Sequence, residues 1–305
     1  VLIGVPLLFE NIADSIKKGI EQTPAGKRVL FKALKGIAAG LGKLIGKNVS
    51  SALFGKQRAK SGLGSIRFCV SGAAALRKEI EDAISSIGLP VLQGYGLTEA
   101  SPVVAVNPPG KPKKGTVGPA LPGVEIKLTD PNEAGVGEVT VRGDNVMKEY
   151  WKNPEATGKV LKDGWLYTGD LGVLDGNGYL TIVGRSKDVI VTSGGKNVMP
   201  QEIEQLLHDS PFVLENIVLG AKDKKGNDRV AAIIVPDYDA LGSDPEIRNN
   251  LTEEGIKKVI SEEIKKYCGD LPDYKKIFDF QIRGDELPKT PTHKVKRHLV
   301  RWIEE

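Results

Sequence analysis

The stretch from Gly184 to Glu204 constrains the fold more than any other part of this chain. It reads GRSKDVIVTSGGKNVMPQEIE, so a β-branched run is followed by a Gly-Gly pair and then by a proline. Pro200 is preset for the first turn of a helix, and Glu202 favours the positive end of a helix dipole. The stretch therefore predicts a strand, a turn and a helix, with charged residues at its entrance.

Taken alone, this pattern would also fit a surface hairpin with solvated charges. Four further motifs accompany it along the chain: GYGLTE at 94–99, GEVTVRG at 137–143, WLYTGD at 165–170 and LPKTPTHKVKR at 287–297. The set and its order resemble the adenylate-forming superfamily of acyl-CoA synthetases, luciferases and peptide-synthetase adenylation domains. The segments VPLLFENI and PTHKVKR make the chain most similar to the long-chain fatty-acid–CoA ligases.

The length of 305 residues exceeds what one hydrophobic core usually organises, so we predict two domains. The resemblance implies that residues 1–184 are the C-terminal part of a large α/β AMP-binding domain, with a parallel βαβ unit and a β-rich closing portion. Residues 185–305 are expected to form a small α+β lid domain. Relatives carry a phosphate-binding loop earlier in their sequence. This chain shows no such loop, so we expect it to be a piece of a longer protein.

Composition excludes several classes of protein. Cys69 and Cys268 match neither a metal-binding nor a disulfide spacing, so we expect them to be small buried residues in a reduced cytosol. The opening VLIGVPLLFE is interrupted by Glu10 and has no basic leader, so it predicts neither a signal peptide nor a membrane span. The expected location is the cytoplasm.

Residues 17–60 form a basic segment in which eleven lysines and arginines face a single acidic residue, Glu21. Apolar residues recur at helical intervals between these charges, which predicts an amphipathic helix. Such a helix can lie on an anionic membrane surface, or it can pack on its own domain. Both interpretations stay open at this point. Nucleic-acid binding is not predicted, because interleaved aromatic residues and a recognisable binding module are absent.

Strand 65–71, helix 72–84 and strand 89–93 predict a parallel βαβ unit, whose ligands bind at the carboxyl ends of the strands. Two glycine-bearing loops, 71–74 and 93–96, come at such ends and are expected to lie side by side. Glycine lets a backbone approach a flat ligand closely, and an aromatic ring can stack on a purine. The resemblance implies that these residues bind the nucleotide, with Tyr95 packed on the adenine: Gly72, Ala73, Ala74, Gly94, Tyr95 and Gly96.

The resemblance also assigns residues to the rest of the nucleotide. Thr98 would contact the phosphate, and Glu99 would hold Mg²⁺, a hard cation that prefers oxygen ligands. Asp170 would accept hydrogen bonds from both ribose hydroxyls with its two carboxylate oxygens. Arg185 is expected near the ribose and phosphate.

The activity that the resemblance implies has two steps. A fatty acid reacts with ATP to give acyl-AMP and pyrophosphate, and CoA then takes the acyl group and releases AMP. The first step brings an anion to a polyanion, so it needs Mg²⁺ and a mobile lysine. Lys294 is the candidate, preceded here by His293 where relatives usually have glycine, which makes the loop less free.

The second step in relatives follows a rotation of the small domain, which must be absorbed at a few backbone dihedral angles. Lys187 occupies the matching hinge position. Gly194, Gly195 and Lys196 would form the wall of the CoA tunnel. Two alternatives stay open: a fatty acyl-AMP ligase that loads a carrier protein, and a nucleotide-binding fragment without catalysis. The sequence determines neither the acyl chain length nor the oligomeric state.

Three structural expectations concern residues without an assigned chemistry. We expect Trp151 to pack in a hydrophobic core. Residues 237–250 read as a polar loop. A last helix is expected to start near Val295 and to carry His298, Val300 and Trp302.

Overall fold

The computed structural model describes residues 1–21, 55–60, 62–290 and 295–303. The chain divides into two compact units: unit 1 comprises residues 1–168 and 172–182, and unit 2 comprises residues 169–171 and 183–305. Most of the predicted basic helix within 17–60 lies outside the described residues. The expected division after residue 184 into a large domain and a lid stays a prediction.

The described residues contain short parallel and antiparallel sheets and helices. The strands are β1 (Leu2–Gly4), β2 (Cys69–Ser71), β3 (Val91–Gly96), β4 (Val103–Val106), β5 (Val124–Thr129), β6 (Gly137–Gly143), β7 (Leu161–Lys162), β8 (Trp165–Leu174), β9 (Leu180–Arg185), β10 (Ile190–Val191), β11 (Asn197–Val198), β12 (Val213–Lys222), β13 (Asp228–Pro236) and β14 (Asp279–Ile282). The helices are α1 (Pro6–Glu21), α2 (Gly55–Lys60), α3 (Lys78–Ser86), α4 (Pro154–Val160), α5 (Pro200–Leu207), α6 (Tyr238–Ser243) and α7 (Glu253–Cys268).

The first sheet of unit 1 has the order β1-β2-β3-β4. Strands β1, β2 and β3 are parallel, and β4 is antiparallel to β3. This confirms the predicted βαβ unit, in which α3 connects β2 to β3. Helices α1 and α3 bury Phe9, Ala13 and Ile84 in a common core. Leu8 of α1 is exposed, because Phe9 and Ala13 take the positions against the core.

The connection between β2 and α3 differs from the prediction. A helix was expected from Gly72, but α3 begins at Lys78. The reason lies at Ala73, whose φ of 73° is left-handed and cannot belong to an α-helix. Residues 72–77 therefore form an open loop after β2, which we call the Gly72 loop.

Arg58, a basic residue of the segment 17–60, contacts the protein and not solvent. It lies in α2 and is buried. Its guanidinium donates hydrogen bonds to the carbonyl oxygens of Gly88 (3.1 Å) and Ile66 (2.7 Å). Buried charged donors need such partners to offset lost hydration. This end of the basic segment is thus anchored to unit 1.

The second sheet of unit 1 has the order β5-β6-β8-β7, with β9 paired to β8. Its core contains Val139, Val141, Leu166 and Leu180. Trp151 is not part of this core and is 83% exposed, so its prediction is wrong. It lies in a turn before α4, where no strand alternation directs a side chain inward.

Unit 2 is built on a sheet of order β12-β13-β14, in which β12 and β13 are antiparallel and β13 and β14 are parallel. Successive residues of β13 point to opposite faces, so Ile234 packs with helices α5 and α7, while Ile233 and Val235 face the other way. On that second face Leu287 and Val300 complete a smaller core. The predicted helix at 200–207 is confirmed as α5.

Two predictions in unit 2 are wrong. Instead of a helix from Val295, the structure has a single 3₁₀ turn over Arg297–Leu299, followed by extended backbone at Val300. The extended path lets Val300 cover the sheet. The predicted polar loop contains α6, because Asp237 caps the backbone N–H of Ala240 (2.9 Å) and Leu241 is buried.

Cys69 and Cys268 are both free and buried, as predicted. Burial raises the pKa of each thiol to about 11, so both remain protonated at neutral pH. Within the described part of the chain, no helix has the length and apolar character that crossing a membrane requires.

A substitution at Gly96 tests how closely the end of β3 approaches the start of β4. A methyl group there would overlap the carbonyl oxygen of Pro102 and stand 2.9 Å from the Cα of Val103. Because the Leu97 N–H donates to that same carbonyl (2.8 Å), the turn cannot open without losing this bond. We expect Gly96→Ala to lower the free energy of unfolding of unit 1 by about 1–3 kcal/mol, measured by urea denaturation.

Gly176→Ala is the matched control, because a methyl group at Gly176 meets no atom within 4 Å and needs no left-handed backbone. An equal effect of the two substitutions would contradict the close approach at Gly96.

Candidate functional site

The Gly72 loop lies beside the glycine-bearing end of β3. Ser71 stands opposite Gln93 in the parallel register of β2 and β3. A methyl group at Gly72 would lie 3.7 Å from the carbonyl oxygen of Gly94. The structure thus brings together the two segments that the sequence placed side by side. Ala73 and Ala74 are exposed, and the left-handed backbone of Ala73 costs roughly 1–2 kcal/mol.

Gly94, Tyr95 and Gly96 do not form the predicted loop. They are the last residues of β3, and Gly94 and Tyr95 pair with Val106 and Ala105 of β4. The antiparallel partner satisfies the backbone groups that a loop would leave to solvent or ligand. Tyr95 is partly buried and packs against the core of the second sheet of unit 1, while its contact with adenine stays a prediction.

Thr98 and Glu99 lie in a 3₁₀ turn, Thr98–Ala100, directly after β3. Thr98 is exposed and Glu99 is half-buried. The Oε1 atom of Glu99 accepts a hydrogen bond from the hydroxyl of Tyr150, with an O–O distance of 2.8 Å. This bond raises the pKa of Tyr150, with burial and the negative charge of Glu99 acting in the same direction. The phenol therefore stays a donor at neutral pH.

Residues 143–150, which we call the strap, cross this turn. The backbone N–H of Met147 donates to the carbonyl oxygen of Glu99 (2.8 Å). The Nδ2 of Asn145 donates to the carbonyl oxygens of Ala100 (2.9 Å) and Val103 (3.1 Å). The turn is thus held by both main-chain and side-chain groups of the strap.

A partly buried polar contact connects the Gly72 loop to β3 and α3. Gln93 donates from Nε2 to Oε2 of Glu81 (2.8 Å), and its Oε1 accepts from the N–H of Leu76 (3.4 Å). Burial raises the pKa of Glu81, and the hydrogen bond from Gln93 opposes that shift. Gln93 therefore links β3, the loop and α3.

In unit 2, Asp170 and Arg185 form an ion pair. The Nε of Arg185 lies 2.9 Å from Oδ1 of Asp170. The Asp170 side chain is 7% exposed and that of Arg185 is 53% exposed. Two residues that the sequence assigned separately to the nucleotide are therefore in direct contact.

Lys187, the predicted hinge residue, lies in the 3₁₀ turn Ser186–Asp188 and is exposed. The next residue, Asp188, is held by the Nε2 of Gln201, which donates to its Oδ2 (3.2 Å). The predicted hinge position thus follows the Asp170–Arg185 pair in sequence and precedes a side chain fixed to α5.

The predicted CoA-binding residues Gly194, Gly195 and Lys196 form the exposed tip of the β10–β11 hairpin. Gly195 has a φ of +70°, which favours glycine, and its N–H donates to the carbonyl oxygen of Thr192 (2.8 Å). The two glycines have no side chains and the tip is exposed, so a long ligand could pass beside it.

Lys294 lies outside the described residues, but the segments on both sides of it are anchored. Lys289 pairs with Glu215 and Glu286, and it forms an antiparallel bridge with Val295. The N–H of Lys296 donates to the carbonyl oxygen of Pro288 (2.7 Å). The two flanks of residues 291–294 are therefore held close together.

Arg297 fixes the segment after Lys294 to the core of unit 2. Its Nη1 donates to Oε1 of Glu204 (2.5 Å), its Nη2 to the carbonyl oxygen of Val218, and its Nε lies 3.8 Å from Oδ2 of Asp188. Glu204 also accepts from the N–H of Val218 (2.7 Å). Burial raises the pKa of Glu204, and the positive charge of Arg297 opposes that shift.

Sequence reasoning missed Tyr150, Asn145 and Arg297. Tyr150 meets Glu99 across 51 positions of sequence, and Arg297 meets Glu204 across 93. No local pattern marks such pairs, because only the fold brings them together.

The donor set fits a magnesium ion that is shared with phosphate. Among residues 1–21, 55–60, 62–290 and 295–303, no group of three or more His, Cys, Asp or Glu side chains could hold a metal. Mg²⁺ typically uses one or two carboxylates together with substrate phosphates. One half-buried carboxylate, Glu99, next to the hydroxyl of Thr98 matches that requirement.

The Arg297 contacts lead to a prediction about pH. Because burial raises the pKa of Glu204 above its unfolded value, ionisation of Glu204 weakens the fold as pH rises through that range. Removing the guanidinium would enlarge this penalty. We expect Arg297→Met to lower the free energy of unfolding by about 3 kcal/mol at pH 7.5 and by less at pH 5, measured by chemical denaturation.

Lys276→Met is the control, since its ion pair with Asp273 is exposed. It should change stability by no more than about 0.5 kcal/mol at either pH. A loss in Arg297→Met that is the same at both pH values would show that Glu204 is not the responsible group.

Comparison with known proteins identifies the family of this chain. A family model described as AMP-binding enzyme matches residues 1–151, and a model described as AMP-binding enzyme C-terminal domain matches residues 202–294. A long-chain-fatty-acid–CoA ligase of Mycobacterium bovis is 32% identical over 98% of this chain and 52% of its own length. An indoleacetate–CoA ligase of Aromatoleum aromaticum is 34% identical over 79% of this chain and 45% of its own length.

Solved structures show the same relationship. The o-succinylbenzoate coenzyme A synthetase of Bacillus subtilis, in complex with ATP and magnesium, has a TM-score of 0.61 and 32% identity, covering 77% of this chain and 46% of that one. The chain spans about half the length of the curated relatives it matches. Two family models in sequence order, together with these relatives, show that the chain belongs to the AMP-binding, adenylate-forming enzyme family.

Proposed function

We propose that the protein carrying this chain activates a fatty acid with ATP, giving acyl-AMP and pyrophosphate, and then transfers the acyl group to CoA with release of AMP. The observation that carries this proposal is the juxtaposition in unit 1 of the Gly72 loop with the end of β3 that leads into Thr98 and Glu99. It combines an exposed, sterically open backbone with a hydroxyl and a carboxylate. That combination suits a purine nucleotide and the cation on its phosphates.

Each residue has a proposed role in the first step. The Gly72 loop, including Ala73 and Ala74, binds the adenine, with Gly94, Tyr95 and Gly96 of β3 beside it. Thr98 donates a hydrogen bond to phosphate, and Glu99 is the ligand for Mg²⁺, which supplies positive charge on the phosphate oxygens. Lys294 neutralises the charge that develops when a carboxylate attacks the α-phosphorus.

Residues of unit 2 have proposed roles in holding the ribose and in the second step. Asp170 accepts from the ribose hydroxyls, and its ion pair keeps Arg185 directed to the same group. Lys187 is the hinge, and the glycine tip at 194–196 borders the path of the CoA thiol. The chain thus carries Lys294 for the first step and the glycine tip for the second in one unit.

The substrate is the less constrained part of the proposal. A long-chain fatty acid is favoured by the similarity to the Mycobacterium bovis ligase. The indoleacetate–CoA ligase matches at similar identity, so the shared residues are compatible with different acids. A turnover assay with CoA and, separately, with an acyl carrier protein distinguishes the CoA ligase from the carrier-loading alternative.

Lys294 allows the two steps to be separated. In the complete protein, Lys294→Ala should slow acyl-AMP formation by about 10²–10³-fold while keeping thioester formation from supplied acyl-AMP. Pyrophosphate release and acyl-CoA formation measure the two steps. Lys296→Ala is the control, because it removes a lysine two positions away and leaves both steps. Loss of both steps in Lys294→Ala would refute this division.

Gly194→Val provides the reciprocal variant in the same assays. A Cβ atom at this position would have the hydroxyl oxygen of Thr192 as its nearest neighbour, 4.0 Å away. The fold should therefore tolerate the larger side chain. We expect slower thioester formation with unchanged adenylation. Gly284→Val, also in open space in unit 2, is the control. Equal thiol-step rates in the two variants would remove the glycine tip from the CoA path.

We also propose that the basic segment 17–60 contacts anionic membranes peripherally, supported by its eleven basic residues and helical apolar spacing. Electrostatic attraction to acidic lipids should make binding strongest at low salt. The chain should therefore sediment with phosphatidylserine-containing liposomes at low salt and not with neutral ones. Failure to sediment with the acidic liposomes would leave the alternative, a helix packed on its own domain.

A further inference from the structure

Hydrogen bonds fix Tyr150 both at its hydroxyl and at its backbone. At one end it donates to Oε1 of Glu99 (2.8 Å). At the other end, the backbone N–H of Tyr150 donates to the hydroxyl oxygen of Thr157 in α4 (2.9 Å), and that hydroxyl donates to the carbonyl oxygen of Asn153 (2.8 Å). The phenol therefore reaches Glu99 from a backbone that is itself anchored.

The strap adds independent support to the same turn. The N–H of Met147 donates to the main-chain carbonyl oxygen of Glu99, and Nδ2 of Asn145 donates to the carbonyl oxygens of Ala100 and Val103. Main chain and side chain of Glu99 are thus held by one continuous segment, 143–150. The position of Glu99 is therefore restrained at both its backbone and its carboxylate.

We propose that Tyr150 is a positioning residue for Glu99, holding Oε1 so that Oε2 is turned to the divalent cation. This inference rests on the proposed function, because it takes Glu99 as the cation ligand. The terminal torsion of a glutamate is broad, so an unrestrained carboxylate samples many orientations. A hydrogen bond from outside the coordination shell removes this freedom, and such partners typically affect metal affinity by about 10–100-fold.

A competing role of Tyr150 would change cation affinity in the opposite direction. If the phenol occupied the oxygen that the cation needs, the bond would be a latch, and removing the hydroxyl would strengthen cation binding. If the bond only stabilised the fold, cation binding would not change. Cation affinity therefore separates the three roles.

The experiment measures Mn²⁺ binding to the complete protein in the presence of ATP, from the electron paramagnetic resonance signal of free Mn²⁺. We expect Tyr150→Phe to bind Mn²⁺ about tenfold more weakly than the wild type. Glu99→Gln should bind at least as weakly. The double variant should show no further loss, because the phenol acts only through the carboxylate.

Tyr179→Phe is the matched control. Its hydroxyl also makes one hydrogen bond in unit 1, to the carbonyl oxygen of Lys111 (2.7 Å), without contact to Glu99. Its Mn²⁺ affinity should equal that of the wild type. ATP affinity without divalent cation and the thermal unfolding midpoint, measured for all variants, show that Tyr150→Phe retains the fold and the nucleotide site.

The outcomes separate this inference from the proposed function. Tighter or unchanged Mn²⁺ binding in Tyr150→Phe, with weaker binding in Glu99→Gln, overturns the positioning role alone. Unchanged binding in Glu99→Gln overturns the cation role of Glu99 and the inference with it. Failure of the wild type to form acyl-AMP, with the expected Mn²⁺ pattern intact, overturns the proposed function and leaves the positioning role.

Discussion

Parallel pairing of β2 with β3 is the interaction on which the candidate nucleotide site depends. Because Ser71 stands opposite Gln93, the chain leaves both strands at one edge, and the Gly72 loop meets the backbone of Gly94. Any side chain at Gly72 would begin to fill this narrow gap. The strained backbone of Ala73 persists because the β2–β3 pairing holds the loop at its start and the hydrogen bond from the Leu76 N–H to Gln93 holds it near its end.

The partly buried charges of Arg297 and Glu204 fix the position of a segment of unit 2. Taking Arg297 and Glu204 out of water costs free energy that their mutual attraction only partly offsets. Their contact nevertheless fixes the segment after Lys294 to α5 and to Asp188, next to the proposed hinge residue.

The comparisons identify the family of the chain but not the carboxylic acid that is its substrate. Relatives named for a long-chain fatty acid and for indoleacetate match this chain at similar identity. The nucleotide, the cation and the thiol are common to the proposed chemistry, so the residues that bind them can stay while the acyl pocket changes. In our proposal, Tyr150 acts on the cation ligand and not on the acid.

The sequence by itself determined the family, the βαβ unit, α5 and the burial of both cysteines, because these follow from local periodicity, proline placement and motif order. Tertiary structure decided the rest. Residues 94–96 are part of a strand because β4 pairs with them. The left-handed backbone of Ala73 delays the start of α3. Trp151 is exposed because it lies in a turn, where no strand alternation directs its side chain into the core. The contacts of Tyr150 with Glu99 and of Arg297 with Glu204 join distant positions, and only packing of the whole unit creates them.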